Sequence, residues 1–153
     1  MVAAERLTAL VEGKDPMLVM RMRSGFAVMS NHQFLKGYCL LLAYPEVSSL
    51  NDLSHESRAA FLHDMALLGD AVQRTTECKR INYSIYGNKD PFLHAHVIPR
   101  YDSEPDEYRE VPPFSYPQDV REHWTTHYKL EEHAELQDNI RLRLMELLGH
   151  TPD

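Results

Sequence analysis

Two histidines separated by a single residue carry the clearest chemical potential in this sequence. His94 and His96 lie in the run Phe-Leu-His-Ala-His-Val-Ile-Pro-Arg at 92–100, which alternates in the manner of a β-strand. Because strand side chains point alternately to opposite faces, the two imidazoles share one face. Imidazole can exchange a proton near neutral pH, bind a metal or contact a phosphate. The spacing therefore predicts an active or ligand-binding site on this face.

A neutral imidazole is also a nucleophile. With an ordinary pKa of about 6.5, histidine is mostly neutral at pH 7 and can attack a phosphorus centre. The attack requires one ring nitrogen to be held as a donor, usually to a backbone carbonyl, so that the other keeps its lone pair. A second imidazole two residues along can bind a phosphate oxygen or serve the leaving group. The pair is therefore suited to phosphoryl or nucleotidyl transfer.

Two other interpretations of the pair stay open. The first is two half-buried strand histidines whose polar atoms are simply hydrogen-bonded. The second is a zinc or iron site, because two histidines at i and i+2 on a strand can chelate a metal. Such a site needs a third and usually a fourth ligand. No Glu or Cys lies in the flanking strand at a suitable spacing, so we favour the catalytic or ligand-binding interpretation.

The composition limits the partners of this site. The chain has 153 residues, a net charge of −7 and 43% hydrophobic residues, values typical of one ordinary globular domain. The negative charge argues against a nucleic-acid polymer as partner, but it does not exclude a small phosphorylated ligand. Cys39 and Cys78 are too few for a disulfide framework, and no run approaches membrane-spanning length. We therefore expect a cytoplasmic protein with no membrane segment.

The apolar pattern predicts the elements that position the histidines. Besides the histidine strand, the predicted strands are 17–23, 26–30, 38–43 and 81–86. The predicted helices are 3–12, 54–76, with Ser54 as N-cap, and a C-terminal helix around 136–147. The turn-forming run 87–91 predicts that the last two strands pair antiparallel. Few crossover helices favour an α+β fold over a doubly wound α/β fold.

Residues 101–120 differ from the rest of the chain. They contain four prolines and a high density of acidic side chains, Glu104 among them. This composition predicts an irregular acidic surface segment, either a flap or a dimer contact.

The run 92–100 resembles the signature of the histidine triad (HIT) superfamily of nucleotide hydrolases and transferases, in which three histidines alternate with apolar residues. The closing Val-Ile-Pro-Arg sets the register, so that His94 matches the second histidine and His96 the third. Phe92 stands at the first position, which departs from the pattern. The preceding 81–88 stretch is similar to a bacterial branch in which Gly-Asn precedes the motif and the first histidine is replaced. The similarity covers roughly residues 20–102.

This resemblance implies a HIT-like α+β fold, an antiparallel β-sheet meander with flanking helices. It also implies a single domain over 1–153, with a core at about 15–102 and an acidic, proline-rich loop and helix over 103–153. It implies that His94 attacks the α-phosphate of a nucleotidyl ester, anhydride or phosphoramidate to form a covalent nucleotidyl-histidine. His96 would bind a phosphate oxygen.

The resemblance implies a set of substrate-binding residues as well. They are Asn88, and Asn31 or Ser30 near the sugar. Phe92 is added as a packing residue that also forms a wall of the pocket, and Arg100 as either a structural charge or a phosphate contact. No metal or other cofactor is implied, although a divalent ion could accompany the substrate. The implied partners are a nucleotide or dinucleotide substrate and a second copy of the chain in a homodimer.

Two departures from the family pattern keep a second hypothesis open. The Gly-Gln-Ser/Thr-Val loop that contacts the leaving group is absent, because the turn at 88–91 is too short to hold it. Phe92 cannot form the hydrogen bonds of a histidine. The alternative function is therefore a nucleotide-binding protein with little or no turnover.

Overall fold

The computed structural model describes residues 3–149, with Ala3 and Ala4 described by their backbone alone. Within that range five antiparallel strands form one sheet in the order β1-β2-β3-β5-β4. The strands are β1 (Leu18–Met22), β2 (Gly25–Met29), β3 (Cys39–Ala43), β4 (Arg80–Ile85) and β5 (His94–Arg100). The helices are α1 (Ala3–Val11), α2 (His55–Thr76), α3 (Gln118–Arg121) and α4 (Leu130–Leu147). The predicted α+β fold with an antiparallel sheet is confirmed.

The connections explain why the histidine strand lies inside the sheet. The first three strands form a meander, and α2 then carries the chain across the sheet to its far edge, where β4 runs. The chain turns at 86–93 and returns as β5 between β3 and β4, pairing antiparallel with both. The predicted antiparallel pairing of the last two strands is therefore confirmed. An inner strand has both backbone edges hydrogen-bonded, which fixes the side chains that it carries.

One face of the sheet is buried under α2 and α4. Ala95 and Val97 of β5 belong to this core, together with Leu68 of α2 and Ile140 and Leu144 of α4. The helix α2 begins where the sequence predicts, because the Ser54 hydroxyl accepts a hydrogen bond from the backbone N–H of Ser57 at 3.1 Å. The odd-numbered side chains of β5 therefore pack against the helical layer.

The opposite face, which we call the histidine face, is covered differently. At one end α1 packs Leu7 and Leu10 against Phe26 and Leu42. At the other end the irregular segment 101–117 folds back over the sheet, and Phe114 packs against a cluster that includes Ile98. The two even-numbered histidines of β5 lie between these covers.

The segment 101–117 is anchored by a buried ion pair, which the sequence interpretation did not anticipate. Glu104 is only 6% exposed and Arg100 7% exposed, and the Arg100 guanidinium donates to the Glu104 carboxylate at 3.0–3.2 Å. Tyr116 donates to the same carboxylate at 2.6 Å. The prediction of a wholly surface segment is therefore wrong at Glu104, because a buried carboxylate is tolerated when a cation and hydrogen-bond donors surround it.

None of the helices within residues 3–149 has the length and apolar character needed to cross a membrane.

Candidate functional site

The two histidines lie side by side on the histidine face. In the register of the sheet, His94 is opposite Leu42 on β3, while His96 is opposite Leu40 on β3 and Ser84 on β4. Their ring centres are 5.1 Å apart, in an edge-on arrangement. The prediction that they share a face is therefore confirmed.

The backbone holds the His94 ring in a defined state. Its Nδ1 lies 2.8 Å from the carbonyl oxygen of Phe92. A carbonyl oxygen can only accept a hydrogen bond, so Nδ1 carries the proton and Nε2 keeps its lone pair. This is the arrangement that nucleophilic attack by an imidazole requires.

A tyrosine holds the His96 ring in the other state. The Tyr38 hydroxyl lies 2.6 Å from Nδ1 of His96. Burial raises the pKa of Tyr38, so the phenol keeps its proton. Burial, followed by the neighbouring His94, lowers the pKa of His96 to about 4, so this imidazole is neutral at pH 7. The phenol has no other acceptor among the described residues, so we assign its proton to the bond with Nδ1, which leaves the His96 proton on Nε2.

The two rings thus have opposite tautomers. Nε2 of His94 is a lone-pair donor to an electrophile, and Nε2–H of His96 is a hydrogen-bond donor to an anion. In these tautomers the pair can present a nucleophilic nitrogen and a neutral hydrogen-bond donor to the same ligand.

Replacing Tyr38 with phenylalanine is expected to let His96 adopt both of its neutral tautomers and to leave the tautomer of His94 unchanged. The change deletes one hydroxyl and leaves a buried ring nitrogen without its donor, at a cost of about 1–2 kcal/mol in unfolding free energy. Nitrogen-15 NMR of the imidazoles checks the tautomers, and urea unfolding checks the stability. Tyr44→Phe, which removes a partly exposed phenol, is the control. A His96 spectrum unchanged in Tyr38→Phe would contradict the assignment.

Aromatic rings surround the pair. Phe92 stacks on His94, with ring centres 4.7 Å apart and an angle of 28°. Phe114 meets the His96 ring edge-on at 5.2 Å, and Tyr86 lies 5.9 Å from the same ring. Neither Phe114 nor Tyr86 was predicted from the sequence. Tyr86 had a usable signal, since it continues the alternation of Asn82 and Ser84 on β4.

The remaining predicted site residues are distributed unevenly. Ser30 is buried on the histidine face, beside Tyr38. Asn31 is exposed, and its carbonyl accepts from the backbone N–H of Tyr128 at 2.8 Å. Asn88 is exposed in the turn before β5. Their substrate contacts stay predictions.

Arg100 is not brought to the histidines. It lies at the far end of β5, and its guanidinium donates to Glu104, to the side chain of Asn82 and to the backbone carbonyls of Tyr108 and Val111. Because its donors are already engaged inside the protein, this geometry favours a structural role over the predicted substrate contact.

A cavity of about 680 Å³ opens between β4 and the segment 109–114. Ser84, Tyr86 and Phe114 line it, and Phe114 and Tyr86 also border His96, but neither histidine reaches its wall. The candidate site is therefore defined by the two hydrogen-bonded histidines and not by the cavity. In the part of the chain that the structure describes, no three His, Cys, Asp or Glu side chains are grouped so that they could hold a metal ion.

Solved structures share this fold at low sequence identity. A histidine triad protein from Marinobacter aquaeolei VT8 has a TM-score of 0.72 and 21% identity, covering 94% of this chain and 95% of that one. A histidine triad protein from Sinorhizobium meliloti 1021 has a TM-score of 0.67 and 19% identity, covering 85% and 87%. The diadenosine triphosphate hydrolase of Plasmodium falciparum has a TM-score of 0.63 and 14% identity, covering 86% and 78%. At these identities the likeness concerns the fold.

The comparison with protein families gives a match, whereas no curated protein sequence matches the chain. The HIT domain family matches residues 14–103, which include the five strands, α2 and both histidines. By this match, which spans more than half of its length, the chain belongs to the HIT domain family.

Proposed function

We propose that this protein is a hydrolase or transferase that acts at the α-phosphate of a nucleotidyl ester, anhydride or phosphoramidate. The observation that carries the proposal is the hydrogen bond from Nδ1 of His94 to the Phe92 carbonyl, which leaves Nε2 free beside the donor of His96. A strand histidine in a merely structural role has no need of a free nitrogen next to a second neutral imidazole.

In the proposed reaction Nε2 of His94 attacks the α-phosphorus, and a P–N bond forms while the bond from phosphorus to the leaving group breaks. The Nδ1–H bond to the Phe92 carbonyl stabilises the positive charge that the ring gains. Nε2–H of His96 donates to a non-bridging phosphate oxygen, where negative charge develops. Water then attacks the phosphorus and releases one proton, the P–N bond breaks with its electron pair returning to Nε2, and the products are a nucleoside monophosphate and neutral His94.

The proposed substrate contacts follow from the surroundings of the pair. Phe92 and Phe114 form apolar walls beside the two rings. We assign the sugar to the side of Ser30, Asn31 and Asn88. The name of the Plasmodium falciparum relative supports dinucleoside polyphosphates as one substrate class.

Trapping the covalent intermediate tests the proposal. The protein is incubated with diadenosine triphosphate or adenosine 5′-phosphoramidate, quenched, digested and examined by mass spectrometry. We expect an adenylyl group on the peptide that contains His94, and no such group in His94→Ala. Tight nucleotide binding with neither adduct nor product would refute the enzyme and favour the alternative, a nucleotide-binding protein without turnover.

We also propose that the protein acts as a homodimer in the cytoplasm. The resemblance to the family supports the dimer, and sedimentation velocity would measure it. The two free, buried thiols of Cys39 and Cys78 fit a reducing compartment.

A further inference from the structure

We infer that Arg121 binds a phosphate of the substrate beyond the α-phosphate. The inference rests on the proposed function and narrows it. It assigns to this site a polyphosphate leaving group, as in a dinucleoside polyphosphate or a nucleoside diphosphate, in preference to the neutral amine that leaves from a phosphoramidate.

Arg121 is linked to the histidine pair through Phe114, although it is distant from it in sequence. It is the last residue of α3, and its Nε donates to the carbonyl of Tyr116 at 3.0 Å. Its guanidinium carbon lies 5.5 Å from the centre of the Phe114 ring. The Phe114 ring in turn meets His96 at 5.2 Å. A single aromatic side chain therefore separates the guanidinium from the ring that we assign to the phosphate.

The charge of Arg121 also acts on the Tyr38 side of the histidine pair. Arg121 acts on Tyr38, where its charge opposes the rise in pKa that burial causes.

The guanidinium of Arg121 is available to a ligand. Among residues 3–149 its terminal nitrogens have no hydrogen-bond partner, and no carboxylate lies within 4 Å of it. The nearby Glu122 carboxylate accepts instead from the side chain of Gln118 at 3.0 Å, so it reduces the local positive charge without pairing with Arg121. Arg100, in contrast, is saturated with partners.

A cation at this position would bind and stabilise a polyphosphate leaving group. A planar guanidinium matches the geometry of phosphate oxygens and binds them through two parallel hydrogen bonds. When the bond to a polyphosphate leaving group breaks, that group gains negative charge, which a nearby cation stabilises. An amine leaving group carries no phosphate and gains nothing from the same contact.

Calorimetry with AMP and ADP separates the α-phosphate from the next phosphate. We expect the wild-type protein to bind ADP more tightly than AMP. We expect Arg121→Gln to weaken ADP binding about ten-fold and AMP binding less than two-fold, since only the second phosphate loses a charge-assisted contact. Arg74→Gln removes an exposed arginine from α2 and serves as the control for net charge. AMP affinity itself reports whether the variant keeps its fold.

Steady-state kinetics with two substrates gives an independent measurement. The ratio of kcat/KM for diadenosine triphosphate to kcat/KM for adenosine 5′-phosphoramidate should fall about ten-fold in Arg121→Gln. An equal loss for AMP and ADP, an unchanged ADP affinity, or the same loss in Arg74→Gln would overturn the inference. If the selective loss of ADP affinity is found but no adenylyl group forms on His94, the phosphate site stands and the proposed turnover fails.

Discussion

Replacing His94 with alanine is expected to lower kcat/KM for diadenosine triphosphate by roughly 10⁴- to 10⁶-fold, the range seen when a covalent nucleophile is removed. His94 is the imidazole whose second nitrogen is kept free by a bond to the backbone. Removing His96 takes away one donor to the phosphate, so His96→Ala should cost roughly 10²- to 10³-fold in kcat. Initial-rate measurements with purified variants check both values.

Two further variants show whether the loss is chemical or structural. His94→Asn keeps a side-chain N–H that can donate to the Phe92 carbonyl but has no nucleophilic nitrogen, so it should be as inactive as His94→Ala. His63→Ala removes an exposed histidine from α2 and should keep wild-type rates. Activity of His94→Asn within about ten-fold of wild type would exclude His94 as the nucleophile.

Replacing Glu104 with alanine is expected to lower the unfolding free energy by about 3–5 kcal/mol, because it leaves the buried Arg100 without a counter-charge. Burial opposes ionisation of Glu104, but hydrogen bonds from Arg100 and Tyr116 and from the backbone N–H of Tyr101 hold its pKa below the ordinary value. Urea denaturation monitored by circular dichroism measures the loss. A decrease of less than 1 kcal/mol would contradict the buried ion pair.

The matched control is Glu107→Ala, an exposed carboxylate in the same segment, which should change stability by no more than about 0.5 kcal/mol. The pH dependence gives a second check. A carboxylate with a lowered pKa stabilises the fold at neutral pH, and this contribution is lost as the pH falls below the ordinary glutamate value of about 4.3. Glu104→Ala should therefore lose less stability on acidification than the wild type.

Local sequence patterns predicted the part of the site that local geometry determines. The alternation at 92–100 placed both histidines on one face, and Ser54 marked the start of α2, since strand period and helix capping depend on neighbouring residues. The state of His96 could not be predicted in this way. Its partner Tyr38 is 58 residues away, and the contact depends on the register between β3 and β5.

The C-terminal third shows the same limit. Its composition predicted an acidic surface because proline and carboxylates are usually exposed. The sequence pattern did not indicate that Glu104 would be buried in an ion pair with Arg100. Phe114 lies in that segment and contacts His96, and the buried ion pair of Arg100 and Glu104 anchors the segment against the sheet. Contacts of this kind belong to the tertiary fold and have no counterpart in a local pattern.

The bond that orients His94 has a consequence for how the chain tolerates mutation. The acceptor is the main-chain carbonyl of residue 92, so the side chain at that position takes no part in setting the tautomer. A substitution at position 92 keeps the acceptor of Nδ1 as long as the backbone keeps its path, although it removes the ring that stacks on His94. Phenylalanine at the first position of the motif is therefore compatible with the tautomer that the proposed nucleophile needs, because this tautomer depends on the backbone conformation of residues 92–94.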